Sequence, residues 1–255
     1  MFIGMDIGGT NTRIVTSETS QKMTISDLVN LETAKDFKTG IYTIIKTIQS
    51  FNTDVEAIGI GLPGSISIEG VLDGSTNLPG WVEKPLKQQL EQTFKCSVFV
   101  RNDAEAGALG EAYFGQTNKH SFFYITWGTG VGCAQVFWKN GAANVSRPEN
   151  RQPIYNLESK IGGKNIKDRF NKSPENLNDE EWATIAYDLL QDLPDIVKGY
   201  GFRTVVIGGG IAFQQKELLI KVFKDCSDIK FLVTSLEGKA GLYGALALIK
   251  DTNTA

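Results

Sequence analysis

The chain opens on apolar Met1, Phe2 and Ile3, passes through Gly4-Met5-Asp6-Ile7-Gly8-Gly9-Thr10-Asn11-Thr12-Arg13 and continues into Ile14 and Val15. Apolar residues on both sides of a glycine pair predict a strand, a sharp turn and a second strand. The polar stretch up to Asn30, with scattered Ile, Met and Leu, predicts a third strand and a loop. Over residues 37–51 the apolar positions take helical spacing: Phe37, Ile41, Ile44, Ile45, Ile48 and Phe51 mark one face of an amphipathic helix. Strands are expected over 55–60 and, from the period-two alternation of Ser65-Ile66-Ser67-Ile68-Glu69-Gly70, over 65–70. Leu86, Leu90 and Phe94 predict a helix over 85–94, and a strand over 96–100 then delivers a helix opened by small residues. Later come strands over 122–127 and 133–138 and a buried helix over 182–197. A strand ending at Gly208, a helix around Leu218, Leu219, Val222 and Phe223, a strand over 231–234 and a closing helix over 241–249 complete the pattern.

Glycine turns punctuate the pattern and bring in the first candidate chemistry. Gly8 and Gly9 accept positive φ and leave no side chain in the way, so backbone N–H groups and the Thr10 hydroxyl can converge on an anion. Asp6, ending the first strand, is placed to hold a divalent cation through water; the plainer alternative is a hairpin with a surface aspartate. Phe122-Phe123-Tyr124-Ile125-Thr126-Trp127-Gly128-Thr129-Gly130-Val131-Gly132 repeats the sequence of strand, Gly/Thr turn and strand. Two such turns suggest a duplicated lobe, each supplying a phosphate-cradling hairpin to a shared cleft. Gly208-Gly209-Gly210 ends a buried strand and lets backbone approach a flat ring or a ribose. Gly59-Ile60-Gly61-Leu62-Pro63-Gly64 also satisfies G-x-G-x-x-G, but a dinucleotide site needs a helix to start inside the glycines, and here a strand pattern follows.

Two polar stations lie between the turns. In Asn77-Leu78-Pro79-Gly80-Trp81, the amide offers a donor and an acceptor that suit vicinal hydroxyls. Trp81 either packs on a pyranose face or plugs the core behind an ordinary Pro-Gly turn. Asn102 and Asp103 fall at a strand-to-helix junction, where the helix N-terminus favours an ionised carboxylate. Asp103 is there either a helix cap or a general base within reach of a hydroxyl.

Composition narrows the classes. With 255 residues, 41% of them hydrophobic, the chain can bury a full core and form two small lobes, which excludes fibrous and disordered classes. A formal charge of -3 and no Lys/Arg cluster speak against a nucleic-acid partner. Cys96, Cys133 and Cys226 lie far apart without metal-binding spacing and fit reduced thiols. With no apolar run of bilayer length and no cleavable leader pattern, no membrane partner and a cytoplasmic location are expected. His120, the single histidine, stands without partners ahead of the second glycine turn and reads as a surface or packing residue.

Taken together and in order, these motifs, with Asn102-Asp103-Ala104-Glu105-Ala106 and Gly241-Leu242-Tyr243-Gly244-Ala245, resemble those of the ROK (repressor, open reading frame, kinase) sugar kinases across nearly the whole chain. The resemblance implies a two-lobed actin-like ATPase fold, a duplicated ribonuclease H-like α/β architecture with mixed five-stranded sheets and a central cleft. It implies an N-terminal lobe over 1–115, with residues 240–255 packing back on it, and a C-terminal lobe over 116–239. It further implies ATP and Mg²⁺ as cofactors, Gly8, Gly9, Thr10 and Arg13 in the first phosphate loop, Thr129 and Gly130 in the second, Gly209 and Gly210 at the adenosine, and Asp6 at the metal. Asn77, Asn102 and Asp103 would hold sugar hydroxyls, with Asp103 as general base; the expected reaction is phosphorylation of a hexose, glucose at its 6-hydroxyl first. Fructose, mannose and N-acetylhexosamines compete as substrates, and a catalytically weak sugar-sensing regulator is the alternative of another class. Family repressors carry an N-terminal helix-turn-helix, whereas this chain enters its first strand at once, so direct DNA binding is not expected.

The chain departs from the family in one interval. Members usually carry a Glu-x-Gly-His segment and a cysteine-rich zinc loop before a Leu-Glu-x-x-x-(Ser)-Gly helix start. Here the cysteines are missing, so no structural zinc is expected. Glu158 matches the later glutamate, and Glu149 stands for the earlier one with Gln152 in place of the histidine, which makes Glu149 and Glu158 candidate substrate ligands. A homodimer is expected from the resemblance alone.

Overall fold

The computed structural model describes residues 1–19, 24–224, 226 and 228–251, so part of the loop expected before Asn30 lies outside the described residues. The chain divides into two units, Met1–Gly110 with Gly241–Ala255, and Glu111–Ala240.

In the first unit β1 (Phe2–Ile7), β2 (Asn11–Ser17) and β3 (Leu28–Glu32) form an antiparallel meander. After α1 (Phe37–Ser50), β4 (Ala57–Leu62) joins β1 in parallel. A two-stranded ribbon, β5 (Ser65–Ile66) with β6 (Leu72–Gly74), and α2 (Leu86–Phe94) precede β7 (Ser97–Asn102), which pairs in parallel with β4. Helix α3 (Asp103–Phe114) starts on the next residue, and the sheet order is β3-β2-β1-β4-β7. Alternate residues of β1 and β4 (Ile3, Met5, Ile7, Ile58, Ile60 and Leu62) share a core with the apolar face of α1. Asp36 starts α1 by accepting the Thr39 N–H at 2.8 Å, which satisfies an otherwise unpaired donor of the first turn.

Two details settle or correct the sequence reading of this unit. Trp81 is the core plug: it is 2% exposed, its indole N–H donates to the Ala34 carbonyl at 2.9 Å, and its ring meets Phe37 edge-on. The strand expected over 65–70 stops after Ile66, because Ser67 turns the chain: its N–H donates to the Val71 carbonyl and its hydroxyl accepts from Glu69 and Val71. Gly70, at φ +82, closes that turn, and Ile68 is left 97% exposed at its tip rather than on a strand face.

The second unit repeats the sheet. Strands β8 (Phe122–Trp127), β9 (Val131–Lys139) and β10 (Ala142–Ser146) are antiparallel neighbours. Helices α4 (Gln152–Ile161), α5 (Gly163–Phe170) and α6 (Asp179–Gly199) follow, then β11 (Thr204–Gly208), short α7 (Gly210–Gln214), α8 (Lys216–Phe223) and β12 (Lys230–Val233). The order is β10-β9-β8-β11-β12, with β11 parallel to both its neighbours, so strand order and directions match the first unit. The sequence pattern does not announce β10, α4 or α5. Helix α6 begins on a capping box between Asn178 and Glu181 and runs through Pro194 to Gly199.

The last helix, α9 (Ala240–Asp251), lies against the first unit's sheet. Gly4 and Gly59 are cross-strand neighbours, and a Cβ on Gly59 would run into the Ala245 carbonyl. Gly244 in turn touches the Ala106 carbonyl of α3, so helix and sheet meet backbone to backbone.

Candidate functional site

In the first unit the candidate residues collect at the carboxyl ends of the parallel strands, where α/β sheets offer their ligand crevice. Asp6, Gly61 and Arg101 stand in register across β1, β4 and β7. In the turn Gly8-Gly9-Thr10-Asn11 three carbonyls are engaged: Gly8 N–H donates to Asn11 O at 2.8 Å, Thr33 N–H to Thr10 O at 2.8 Å, and the Lys35 ammonium to Gly9 O. With the acceptors of Gly9, Thr10 and Asn11 occupied, the N–H groups of Gly9 and Thr10 and the Thr10 hydroxyl are donors of the kind that suits an anion. Asn77 packs on this turn, its Cβ 3.0 Å from where a Cβ on Gly9 would lie.

Asp6 and Arg13, expected to serve a cation and a phosphate, are cross-strand partners, and the guanidinium donates to Asp6 Oδ2. Gly241 at the start of α9 leaves room for that carboxylate, since a Cβ there would come 2.8 Å from Oδ2. Among the described residues no three His, Cys, Asp or Glu side chains cluster as a metal cage. A Mg²⁺ ion usually takes one or two carboxylates plus phosphate oxygens and water, and Asp6 fits that donor set.

Asn102 is buried, and both ends of its amide bind backbone. Nδ2 donates to Gly64 O at 2.9 Å and Leu62 O at 3.5 Å; Oδ1 accepts the Ala104 N–H at 3.0 Å and the Glu105 N–H at 3.4 Å. The side chain therefore caps α3 and ties it to the end of β4. Asp103, half-buried on the first turn of α3, accepts the Ala104 N–H at 2.9 Å, and Gly61 lies beneath it, 3.6 Å from its Cα to the position of a Cβ.

The second unit gathers its own set. Gly128 N–H donates to Gly130 O, Gly163 N–H to Gly128 O and Lys164 N–H to Thr129 O, each at 2.9 Å. All three carbonyls of the turn thus have donors, and the groups left to present are the Thr129 and Gly130 N–H groups and the Thr129 hydroxyl. Gly209, at φ +93, sits against the Trp127 backbone. Gly163 comes 3.3 Å from Thr129 Cα and 3.2 Å from Ile211 Cδ1, measured to the place of its absent Cβ, so the second and third glycine stations meet around Gly163. Trp127 fixes the floor by donating to Ile161 O at 2.6 Å.

Glu158 lies in the last turn of α4, not at the start of a helix as the family pattern suggests, and its Oε1 accepts the Val131 N–H at 2.9 Å. Glu149 is exposed on the loop before α4, and Gln152 bonds Asn156. His120 is exposed, with Nδ1 3.1 Å from the Thr117 carbonyl. Burial pushes the Cys133 thiol up to about 12, which leaves it inert. Sequence reasoning missed Lys35, for which no local signal exists, and the bracing role of Gly162-Gly163, for which the glycine pair after Glu158 was a signal.

One buried carboxyl belongs to neither turn. Glu111 on α3 is fully buried, takes the Thr234 hydroxyl on Oε1, and has no partner for Oε2 among the described residues. Burial raises its pKa to about 7, against the lowering effect of the Thr234 bond.

A family model described as ROK family matches residues 2–146. A putative fructokinase of Bacillus subtilis is 28% identical over 251 residues, covering 88% of this chain and 81% of that protein. A glucokinase of Thermotoga maritima is 38% identical over 139 residues, 51% of this chain and 43%, less than half, of its own length. Among solved structures, a ROK family glucokinase from Streptomyces griseus in complex with glucose and AMPPNP superposes with a TM-score of 0.78 at 24% identity, covering 97% of this chain and 98% of that one. The likeness extends the actin-like ATPase fold to this chain. Among the described residues no helix is long and apolar enough to cross a membrane.

Proposed function

Because the chain belongs to the ROK family, we propose that it is an ATP-dependent sugar kinase that phosphorylates a hexose, glucose at its 6-hydroxyl being the first substrate to test. The observation that carries this reading is the pair of glycine turns in which the carbonyls of Gly9, Thr10 and Asn11 and of Gly128, Thr129 and Gly130 already have donors, so that each turn has N–H groups and a threonine hydroxyl for phosphate oxygens. In this reading Gly8, Gly9 and Thr10 of the first unit and Thr129 and Gly130 of the second bind phosphates, and Gly209 and Gly210 border the adenosine. Asn77 meets the sugar. Asn102, whose amide is engaged with backbone, holds Asp103 in place.

Asp103 acts as the general base. The start of α3 favours its ionised form, ready to accept a proton. As the sugar oxygen bonds to the γ-phosphorus, the bond to the β–γ bridging oxygen breaks, ADP leaves with that electron pair, and the hydroxyl proton goes to the Asp103 carboxylate. Mg²⁺ near Asp6 would supply charge neutralisation for the phosphates. A fructose substrate is the second reading, favoured by the length of the match to the Bacillus subtilis protein named as a putative fructokinase.

The test is ADP release measured over a panel of hexoses and hexosamines, with Asp103→Asn beside the wild type. The variant should lose about 10² to 10⁴ in kcat while its sugar affinity, read by calorimetry, stays close to wild type. Equal turnover by the variant removes Asp103 from the base role. No turnover by the wild type on any sugar overturns the kinase reading in favour of a sugar-sensing regulator.

A further inference from the structure

The loop 77–81 touches the glycine turn 8–11 at both of its ends, directly at one and through residues 33–35 at the other, and all three segments belong to the first unit. At the near end Asn77 lies against Gly9, its Cβ 3.0 Å from where a Cβ on Gly9 would be. At the far end the Trp81 indole N–H donates to the Ala34 carbonyl at 2.9 Å, and a Cβ on Gly80 would come 2.4 Å from the Lys35 carbonyl oxygen. Residues 33–35 in turn hold the glycine turn. Thr33 N–H donates to Thr10 O at 2.8 Å, and the Lys35 ammonium donates to Gly9 O. The anchor itself is fixed: Trp81 is buried edge-on to Phe37, and Gly40 makes room for its ring, since a Cβ there would fall 2.2 Å from Cζ2.

From this geometry we infer that Trp81 is a positioning residue for the turn Gly8-Gly9-Thr10-Asn11, acting through Ala34 and Lys35. The inference rests on the kinase reading for what the turn binds. The Gly9 carbonyl and the Thr10 N–H belong to one trans peptide and point in opposite directions, so the ammonium that holds the oxygen aims the N–H the other way. That N–H is one of the turn's donors for phosphate oxygens. Lys35 is exposed, and a lysine loses much rotamer freedom when its ammonium is tied down, so its bond to Gly9 holds best from a main chain that is already fixed. The residues flanking Ala34 and Lys35 are fixed by their own contacts, Thr33 by its hydroxyl 2.8 Å from that of Thr12 and Asp36 by capping α1. Ala34 and Lys35 themselves are met by Trp81 and Gly80. The Lys35 carbonyl is also what calls for glycine at 80, whose φ lies outside the left-handed region.

Four variants test the inference through MgADP binding by calorimetry, which needs no turnover: Lys35→Met, Trp81→Phe, Gly80→Ala and Leu90→Ala. Lys35→Met should weaken binding about threefold to tenfold, the loss of one hydrogen bond. Trp81→Phe keeps an aromatic ring in the core without the indole N–H and should weaken binding about threefold, as should Gly80→Ala, which displaces the Lys35 carbonyl. Adding Lys35→Met to either should leave binding no weaker than Lys35→Met alone, because both changes act on the same contact. Leu90→Ala, which opens a cavity on α2 in the same core, should lower thermal stability with MgADP affinity unchanged. Without nucleotide, the Thr10 amide signal in NMR should move in Trp81→Phe and Gly80→Ala and stay in place in Leu90→Ala. Wild-type affinity in Trp81→Phe and Gly80→Ala, additive losses in the double variants, or an equal loss in Leu90→Ala would each overturn the inference. Where Trp81→Phe does not fold, Gly80→Ala with and without Lys35→Met decides by the same measurements. A wild type that binds MgADP but turns over no sugar fails the kinase reading separately and leaves these measurements decisive, whereas one that binds no MgADP overturns the positioning role as well.

Discussion

The two hairpins that open the two sheets share a plan but differ in length and chemistry: residues 8–11 link the last cross-strand pair Ile7 and Thr12, whereas only 128–130 link Trp127 and Val131. One residue pair before the turn, β1 and β2 carry Asp6 opposite Arg13; at the matching place β8 and β9 carry Thr126 opposite Gly132. The first turn thus has its own carboxylate and cation, joined to each other, whereas the second is neutral and borrows a carboxylate, Glu158, from a helix. Two residues earlier, the cross-strand pair Gly4 and Gly59 of the first sheet has Tyr124 and Val206 as its counterpart. The lesson is that the duplication preserves strand order, strand direction and turn position, while turn length and side chains diverge.

The strongest way to break that comparison is to give the first sheet the bulk of the second. At Gly59 an added methyl would run into the Ala245 carbonyl of α9, a backbone atom that cannot turn aside. Gly59→Ala should therefore destabilise the protein by about 3 kcal/mol or more, at the upper end of overpacking costs. The urea midpoint measures it. An unchanged midpoint would mean that α9 shifts freely on β1 and β4, and that the glycine pair is not what admits the helix.

That contrast also explains how much was readable beforehand. The turns Gly8-Gly9-Thr10 and Gly128-Thr129-Gly130 were legible because glycine beside threonine between two apolar runs has few structural uses, and the family order fixed the rest. The helix over 37–51 was legible from its apolar face, and Phe37–Ser50 is helical. What stayed hidden was whatever depends on a distant partner. Nothing near Trp81 in sequence says that Ala34 and Phe37 will enclose it, and the alternation at Ser65 to Ile68 cannot reveal that a serine hydroxyl will cap a turn. For the same reason Asn102 looked like a sugar ligand when its amide is taken up by backbone 38 residues away at Gly64.

A second contrast concerns carboxylates. Asp6 has a guanidinium beside it, whereas Glu111 in the other unit is fully buried with a threonine hydroxyl on one oxygen. Its pKa, about 7 in the folded protein against 4.5 for an exposed glutamate, means the folded state holds the proton more tightly. Stability from this group is complete below the unfolded value and is lost as pH rises from there through about 7, with a total swing on the order of 3 kcal/mol. Glu111→Gln stays neutral, so it should flatten that fall and gain on the wild type at pH 8 by about 2 to 3 kcal/mol. Chemical denaturation at pH 5, 6.5 and 8 reads the effect, and parallel curves for the two proteins would show that Glu111 does not carry the titration.

The smallest effect sharpens the comparison at the turns themselves. In the second unit the outward carbonyls of the turn are held by the backbone amides of Gly163 and Lys164, which no side-chain deletion removes. In the first unit one of the equivalent carbonyls, Gly9, is held by the ammonium of an exposed side chain, Lys35. Lys35→Met keeps a flexible apolar stem and removes the donor, leaving the Gly9 carbonyl to water and the peptide after it free to rotate. One hydrogen bond of this kind is worth about 0.5 to 1.5 kcal/mol, so the KM for MgATP should rise roughly threefold to tenfold with little change in thermal stability. Lys35→Arg, which still reaches with a donor, should lose less. If Lys35→Met binds the nucleotide as tightly as the wild type, the first turn is held by Thr33 and the hairpin alone, and the two turns are braced in the same way after all.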